Sequence, residues 1–374
     1  MRIDTAIRAI AAAPLLWRAA MGQRRPADPG VRLRAAADWL LEAQRAAGGT
    51  GYAHSFNLLR GWQRPYPETT GYILPTLRRV AALTGNAAYR HSIAAASRWL
   101  VSIQQPDGSF HDLHGRPQVF DTGQILIGLN DLAERAADLA DRGALARAAR
   151  WLVSVQEANG SFVRHAYNGI PHSYYSRVGA ALTIAGRILD DAAVRESGVR
   201  NLRWTVAQQE ANGFFRHLSF DEESPPYLHT MVYVIEGLLD GAEETAETAF
   251  ADAALAFADA LRRIAERDGA LRSQYRSDYG VANHELCLTG LAQWAGVCFR
   301  LARRTGDATW REQAGKSLDF VETRQILSDD SRLHGGVPGS APITGRYMRA
   351  AIPNWGVKFF IDALLEDGPE AVLS

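Results

Sequence analysis

The chain is poor in cysteine: it has two, Cys287 and Cys298, among 374 residues. Two thiols cannot staple a chain of this length, and they show no metal-ligand spacing, so buried free thiols are expected. Net charge is also lacking, since 41 Lys+Arg balance 41 Asp+Glu. That leaves no global basic field for nucleic acid. No stretch reaches the ~18 apolar residues of a membrane-spanning helix. No glycine-rich loop with a lysine is present to cradle phosphate, and no strand alternation recurs. The sequence implies no cofactor and no metal. What remains, 47% hydrophobic and 22% charged residues, is the composition of a soluble globular protein.

The N-terminus, MRIDTAIRAIAAAPLLWRAAMGQRRP, has apolar residues at helical spacing with arginines among them. Nine residues separate Arg8 from Arg18, a short h-region for a signal peptide. The pattern predicts an amphipathic, basic helix over residues 1–30, ahead of a domain over 31–374. It packs on the protein or touches an anionic membrane through residues 1–25. A cytoplasmic or peripheral inner-membrane location follows, with the periplasm left open.

The dominant feature is a repeat. RWLVSIQQPDGSF begins at Arg98 and RWLVSVQEANGSF at Arg150. The unit is a Trp, a Gln five residues on and a Gly nine residues on. It recurs as Trp39/Gln44/Gly48, Trp99/Gln104/Gly108, Trp151/Gln156/Gly160 and Trp204/Gln209/Gly213. Two degraded copies are anchored at Ala260, which keeps Gly269, and at Phe320, which keeps Gln325. The spacing of 52 to 60 residues fits two helices and two loops. Each anchor helix is amphipathic and is expected to stop at its Gly. A second helix follows, more apolar and richer in small residues, as an inner ring of closely approaching helices requires. The fold class expected is all-α, a single (α/α)6 toroid of six helix pairs. Thr-Gly-Asn at 84–86 and Thr-Gly-Asp at 305–307 mark tight returns from inner to outer helix.

This pattern resembles the six-hairpin toroids of glycoside hydrolases, polysaccharide lyases and sugar epimerases, and the terpenoid-cyclase toroids with their Gln…Gly-aromatic element. YPETTGYILPTL (66–77) and GGVPGSAPITGRYMRAAIPNWGVKFFIDALL (335–365) resemble VpsJ-type proteins of bacterial exopolysaccharide biosynthesis. That resemblance implies a polysaccharide context and supplies no catalytic residue. The Asp-rich DxDD element of protonation-type cyclases is absent. Leu189–Asp191 and Ser328–Asp330 read as solvated turns.

In such a toroid the outer-to-inner loops open on one face, with the positive N-termini of the inner helices. The sequence loads this face with ligand-binding chemistry. Loop one carries Trp62 and Tyr66 before Glu68; loop two carries His114 before Asp121. Loop three carries Arg164 and His172, then Tyr174, Tyr175 and Arg177. Loop four carries His217 and His229. Loop five carries Arg276 and Asp278, then Asn283, His284 and Glu285 at an expected inner-helix start. Loop six carries Arg346 and Tyr347 before Asn354 and Trp355. Nine of the ten histidines fall here, all but His91. Aromatic faces stack on sugars and arginine pairs with uronates, so an acidic polysaccharide or oligosaccharide is the expected partner.

Three readings stay open. A glycoside hydrolase needs two carboxyl groups across the scissile bond, and Glu68 with Asp121 fits, with Asp278 and Glu285 as further candidates. A lyase or uronate C5-epimerase needs a base, an acid and a carboxylate neutraliser. His284, Tyr174 or Tyr175, Arg177 and Asn283 would serve. A glycan-binding assembly component needs only the aromatics. Against each stands a plainer reading: Asp121 and Asn283 as helix caps, Glu68 as a dipole partner, one of the two tyrosines as core.

Overall fold

The computed structural model describes residues 27–368, together with Pro14. The amphipathic helix expected over residues 1–30 falls almost wholly outside the described residues. Among the described residues 27–368, twelve α-helices follow one another as six pairs. They are α1 (Pro29–Ala46) with α2 (Pro67–Thr84), α3 (Ala87–Ile103) with α4 (Val119–Arg135), and α5 (Arg142–Val155) with α6 (Ser176–Leu189). Then come α7 (Ala192–Val206) with α8 (Leu228–Thr245), α9 (Thr248–Asp268) with α10 (Leu288–Thr305), and α11 (Ala308–Glu322) with α12 (Asn354–Asp367). Among the described residues no helix is long and apolar enough to cross a membrane.

Helix starts follow capping chemistry. Asp28, Asp141, Asp191 and Asp307 each accept a backbone N–H at the start of an anchor helix. The Asp190–Asp191 pair divides its work: Asp190 ends α6 in the left-handed region (φ 53°) and Asp191 caps α7. The Thr-Gly-Asp return behaves as expected, with Gly306 closing α10 and Asp307 opening α11.

The helices group into two compact units interleaved along the chain. One comprises residues 27–65, 80–92 and 284–368; in it α12 packs on α10 and α1, and α10 on α11. The other comprises residues 66–79 and 93–283; in it α4, α6 and α8 lie side by side, α4 leaning on α5, α6 on α7 and α8 on α9. Strands, which the sequence did not announce, occur as seven pieces of two or three residues. In the first unit β1 (Ser55–Asn57) pairs with β2 (Gly61–Trp62) and β7 (Ala351–Pro353), and β5 (Leu286–Cys287) with β6 (Ser340–Ala341). In the second, β3 (Gln274–Tyr275) pairs with β4 (Val281–Asn283). Pieces this short carry too few residues for a period-two pattern.

The repeated Gln is a staple. Gln156 Nε2 donates to the carbonyl of Gly160 at 3.1 Å and to that of Ser197 at 2.9 Å, on the next anchor helix. Its Oε1 accepts from the Ser197 hydroxyl and from Arg200. Gln104 bonds Gly108 and Ala144 in the same way, and Gln209 bonds Gly213 and Ala253. In the first unit Gln44 bonds Thr50 and Ser92, and Gln325 bonds Gly335 and Arg32. The last repeat is thus tied to α1, and Trp39 Nε1 adds a bond to the Arg332 carbonyl.

The Gly of the unit stops its helix in the first copy, where Gly48 (φ 81°) follows α1 and the Gly48 and Gly49 N–H groups bond the Arg45 and Gln44 carbonyls, but not in the next three. α3 ends at Ile103 and α5 at Val155, five residues before Gly108 and Gly160. These glycines form the turn beyond, at φ 97° and 92°, and a Cβ there would sit 2.3 Å and 2.4 Å from the Arg147 and Arg200 carbonyl oxygens. The degraded copy also ends as expected, with Gly269 (φ 78°) capping α9.

Replacing Gln156 by Leu is expected to lower stability by about 2 kcal/mol, since the hydroxyl and guanidinium bound to its oxygen lose their acceptor while the carbonyls keep other donors. Urea unfolding measures this; an unchanged midpoint would show that the repeat is conformational and not a staple.

Candidate active site

The second unit assembles a buried polar cluster at the starts of α2, α4, α6 and α8. Small residues set it up. A Cβ on Gly71 would lie 2.3 Å from the Ile125 Cα, and one on Gly128 would lie 2.1 Å from the Gly71 oxygen. Backbone contact between α2 and α4 therefore brings their first turns together, and those turns carry Glu68 and Asp121.

Both carboxyls are buried, Glu68 at 8% exposure and Asp121 at 5%. Burial pushes Glu68 up to about 7, against hydrogen bonds from the Tyr66 and Tyr72 hydroxyls and the positive field of Arg177. Asp121 is pushed well above the usual carboxylate range, first by burial and then by the negative charges of Glu68 and Asp112. Its Oδ2 is buried without a hydrogen-bond partner. Asp121 is not a helix cap: that place belongs to Gln118, and Asp121 lies three residues inside. Glu68 follows Pro67 at the first turn of α2, as the sequence implied.

The two tyrosines differ. Tyr175 OH accepts the Tyr167 N–H at 2.9 Å and its ring stacks on Phe120, a structural role. The Tyr174 ring meets Phe120 edge-on at 5.2 Å, and its hydroxyl has no hydrogen bond among the described residues. Burial raises Tyr174 and Tyr72 well above their ordinary range, so both stay protonated donors.

Several residues expected to meet a ligand are used by the protein instead. Arg177 is buried and bonds Gln124 Oε1 (2.9 Å) and Glu236 Oε2 (2.5 Å), beneath the Tyr233 ring. Its charge is internally paired. Arg164 donates to the Ser154 carbonyl at the end of α5, where a cation complements the helix dipole. His217 stacks on Trp204 of α7. His172 is buried with its ring nitrogens 3.0 Å and 2.8 Å from the Ser219 and Tyr167 carbonyl oxygens, and burial lowers it to about 4. As a neutral ring it donates to one of the two carbonyls at a time. His229 is buried against Tyr233, 4.3 Å between centroids. His114 is exposed in a turn organised by Asp112, which accepts its N–H. Arg276 and Asp278 are exposed and close the β3–β4 turn, where Asp278 accepts the Gly280 N–H.

Asn283 is the end of β4 and not a helix start; its amide reaches Gln274 Oε1 at 3.5 Å. The following inner helix begins at Leu288, capped by Cys287, whose sulfur accepts the Gly290 N–H. Both cysteines are buried thiols outside any disulfide.

The other predicted residues belong to the first unit. His284 is exposed, and Glu285 accepts the N–H of the exposed Arg346 at 2.8 Å. Trp62 packs on Trp39 and Phe56. Trp355 Nε1 donates to Tyr347 OH at 2.7 Å and its ring meets His54, while Asn354 bonds the Ala53 carbonyl.

Tyr72, Tyr233, Phe120, Gln124 and Glu236 complete the cluster and were not singled out in the sequence. A signal existed: Tyr72 and Tyr233 lie four residues after Glu68 and His229, on the same helical faces. Among the described residues no three His, Cys, Asp or Glu side chains are grouped to hold a metal ion.

Comparison with known proteins places this geometry. The family described as squalene-hopene cyclase C-terminal domain matches residues 63–239, the stretch holding three of the Gln…Gly units. No curated protein matches the chain. Among solved structures, an unsaturated glucuronyl hydrolase from Bacillus sp. GL1 superposes with a TM-score of 0.70 at 14% identity, covering 91% of this chain and 97% of that one. The cellobiose 2-epimerase of Bacillus thermoamylovorans gives 0.67 at 12% identity, over 87% and 95%. A polysaccharide lyase gives 0.62 at 13%, over 90% and 96%. At these identities the likeness is one of fold: the chain is an (α/α) toroid.

Proposed function

We propose that this member of the (α/α)-toroid superfamily is a carbohydrate-active enzyme, a glycoside hydrolase acting on an acidic oligosaccharide, with Asp121 as general acid and Glu68 as general base. The observation that carries the reading is the buried carboxyl pair on adjacent helix starts. Two carboxyls whose surroundings drive them apart divide into acid and base. Asp121 feels burial and the Glu68 charge and keeps its proton; its unpartnered Oδ2 is placed to give that proton to a leaving oxygen. Glu68 ionises first, because two tyrosine hydroxyls and Arg177 favour its charge. It then takes a proton from the attacking water.

The acidic substrate is supported by the fold shared with unsaturated glucuronyl hydrolases, one of them described as specific for heparin. It is not supported by Arg177, which Glu236 neutralises. A place in bacterial exopolysaccharide biosynthesis rests on the resemblance of residues 66–77 and 335–365, and a cytoplasmic or peripheral inner-membrane location on the amphipathic, basic sequence of residues 1–30. A terpenoid-cyclase reading lacks its DxDD element. A lyase reading has one observation in its favour, the free Tyr174 hydroxyl beside the pair, and predicts an unsaturated product.

The test is digestion of uronate-containing and neutral oligosaccharides, following new reducing ends and the ultraviolet absorbance of a conjugated uronate together. Reducing ends from the uronate substrates, without new absorbance, are expected. Absorbance rising in step would assign elimination and move the chemistry to Tyr174.

A further inference from the structure

Apart from the carboxyl cluster, the first unit holds a cavity of about 370 Å³ lined by Leu286, Leu288, Phe320, Pro338, Ile343 and Arg324, with Ser340, Ala341 and Pro342 at its β6 side. Its size falls within the roughly 300–1,000 Å³ of small-molecule sites. Most of the lining side chains are apolar. Ser340, the one hydroxyl, donates to the Pro342 carbonyl at 3.1 Å and is satisfied internally.

Arg324 is the exception. Its Nε is buried with no hydrogen-bond partner, and among the described residues no carboxylate or carbonyl receives its guanidinium. The group lies over the Phe320 ring, 5.0 Å from the centroid. Its backbone is held: the Arg324 N–H bonds the Val321 carbonyl, and the next residue is the staple Gln325. Arg164, Arg177, Arg200 and Arg276, by contrast, are spent on a carboxylate, a carbonyl or a glutamine. A half-buried, oriented and unpaired cation is unfavourable unless something completes it, and its planar fork matches a carboxylate.

We infer that this cavity is a binding site for a small amphipathic carboxylate, its acid group paired with Arg324 and its hydrocarbon body against Leu286, Leu288 and Ile343. The site lies wholly in the first unit and does not depend on the proposed hydrolase chemistry.

Octanoate is the probe, with octanamide as the neutral isostere and inorganic sulfate as the bare anion. Methyl NMR of the full chain should show saturable shifts at Ile343 and Leu286 with octanoate. Octanamide should bind roughly tenfold more weakly, the loss expected for one charge-assisted pair. Sulfate should not compete at equal concentration. Arg324→Gln should erase the preference for octanoate while leaving Tm unchanged or higher, because the wild-type group has no partner to lose. Ala341→Leu, which fills the cavity without touching Arg324, should weaken octanoate binding. Equal binding of octanoate and octanamide, displacement by sulfate, or no saturable shift would each overturn the site.

Discussion

Asp121→Asn is expected to lower kcat by roughly 10²–10⁴-fold with KM nearly unchanged, the range removed with a single general acid or base. An amide keeps the shape of the carboxyl but cannot hand a proton to a leaving oxygen. Glu68→Gln should cost a comparable factor, since the amide cannot take a proton from water. The double variant should fall little below either single one, because paired groups act as a unit. Activated substrates separate the two roles. A leaving group that departs without protonation should rescue Asp121→Asn and leave Glu68→Gln inactive. Rescue of both, or of neither, would remove the acid/base assignment.

The same pair makes folding stability depend on pH, with a sign opposite to that of a salt-bridged carboxylate. Glu68 titrates at about 7 in the folded chain against 4.5 as its ordinary value. Between those values the native state holds a proton that the unfolded state has released. Stability is therefore fully present below about pH 4.5 and is lost as pH rises through 7. The loss from Glu68 is on the order of 3 kcal/mol, and Asp121, shifted the same way, adds to it. Glu68→Gln should raise Tm at pH 8 and match wild type near pH 4. A gap that is constant with pH, or reversed, would mean that burial does not govern the pair.

Much of the fold was legible because the repeat obeys backbone accounting. A Gln five residues after each anchor Trp has to reach its own turn and the next helix, and the Gly four residues later takes a positive φ, at Gly108 and Gly160 also passing a carbonyl where no Cβ fits. Those demands are local and survive as spacing. The small residues of the second helices were legible for the same reason. Gly48 and Gly269 do stop their helices; the error over Gly108, Gly160 and Gly213 came from reading positive φ as a cap when a turn beyond the helix needs it too.

The carboxyl pair was legible from Glu68 after Pro67 and Asp121 in the first turn of the next inner helix. The binding arginines were not. Arg164 bonds the end of its own repeat's helix, and Arg177 is claimed by Glu236 of the next inner helix, partners that no spacing announces. Tyr174 and Tyr175 are adjacent in sequence, yet the Tyr167 N–H takes only one of them. Asn283 looked like a cap because the hairpin that holds it has two short strands, and Cys287 was overlooked because sulfur is an uncommon acceptor there.

The most direct measurement is a carboxyl ¹³C NMR titration of the Glu- and Asp-labelled chain, with Glu68→Gln and Asp121→Asn as assignment controls. One carboxyl should titrate at about 7 and vanish in Glu68→Gln. The Asp121 signal should remain protonated beyond it and shift to lower pH once Glu68 is neutral, because part of its elevation comes from that charge. Two carboxyls titrating independently near the ordinary 4 to 4.5 would contradict the pair as a poised acid and base.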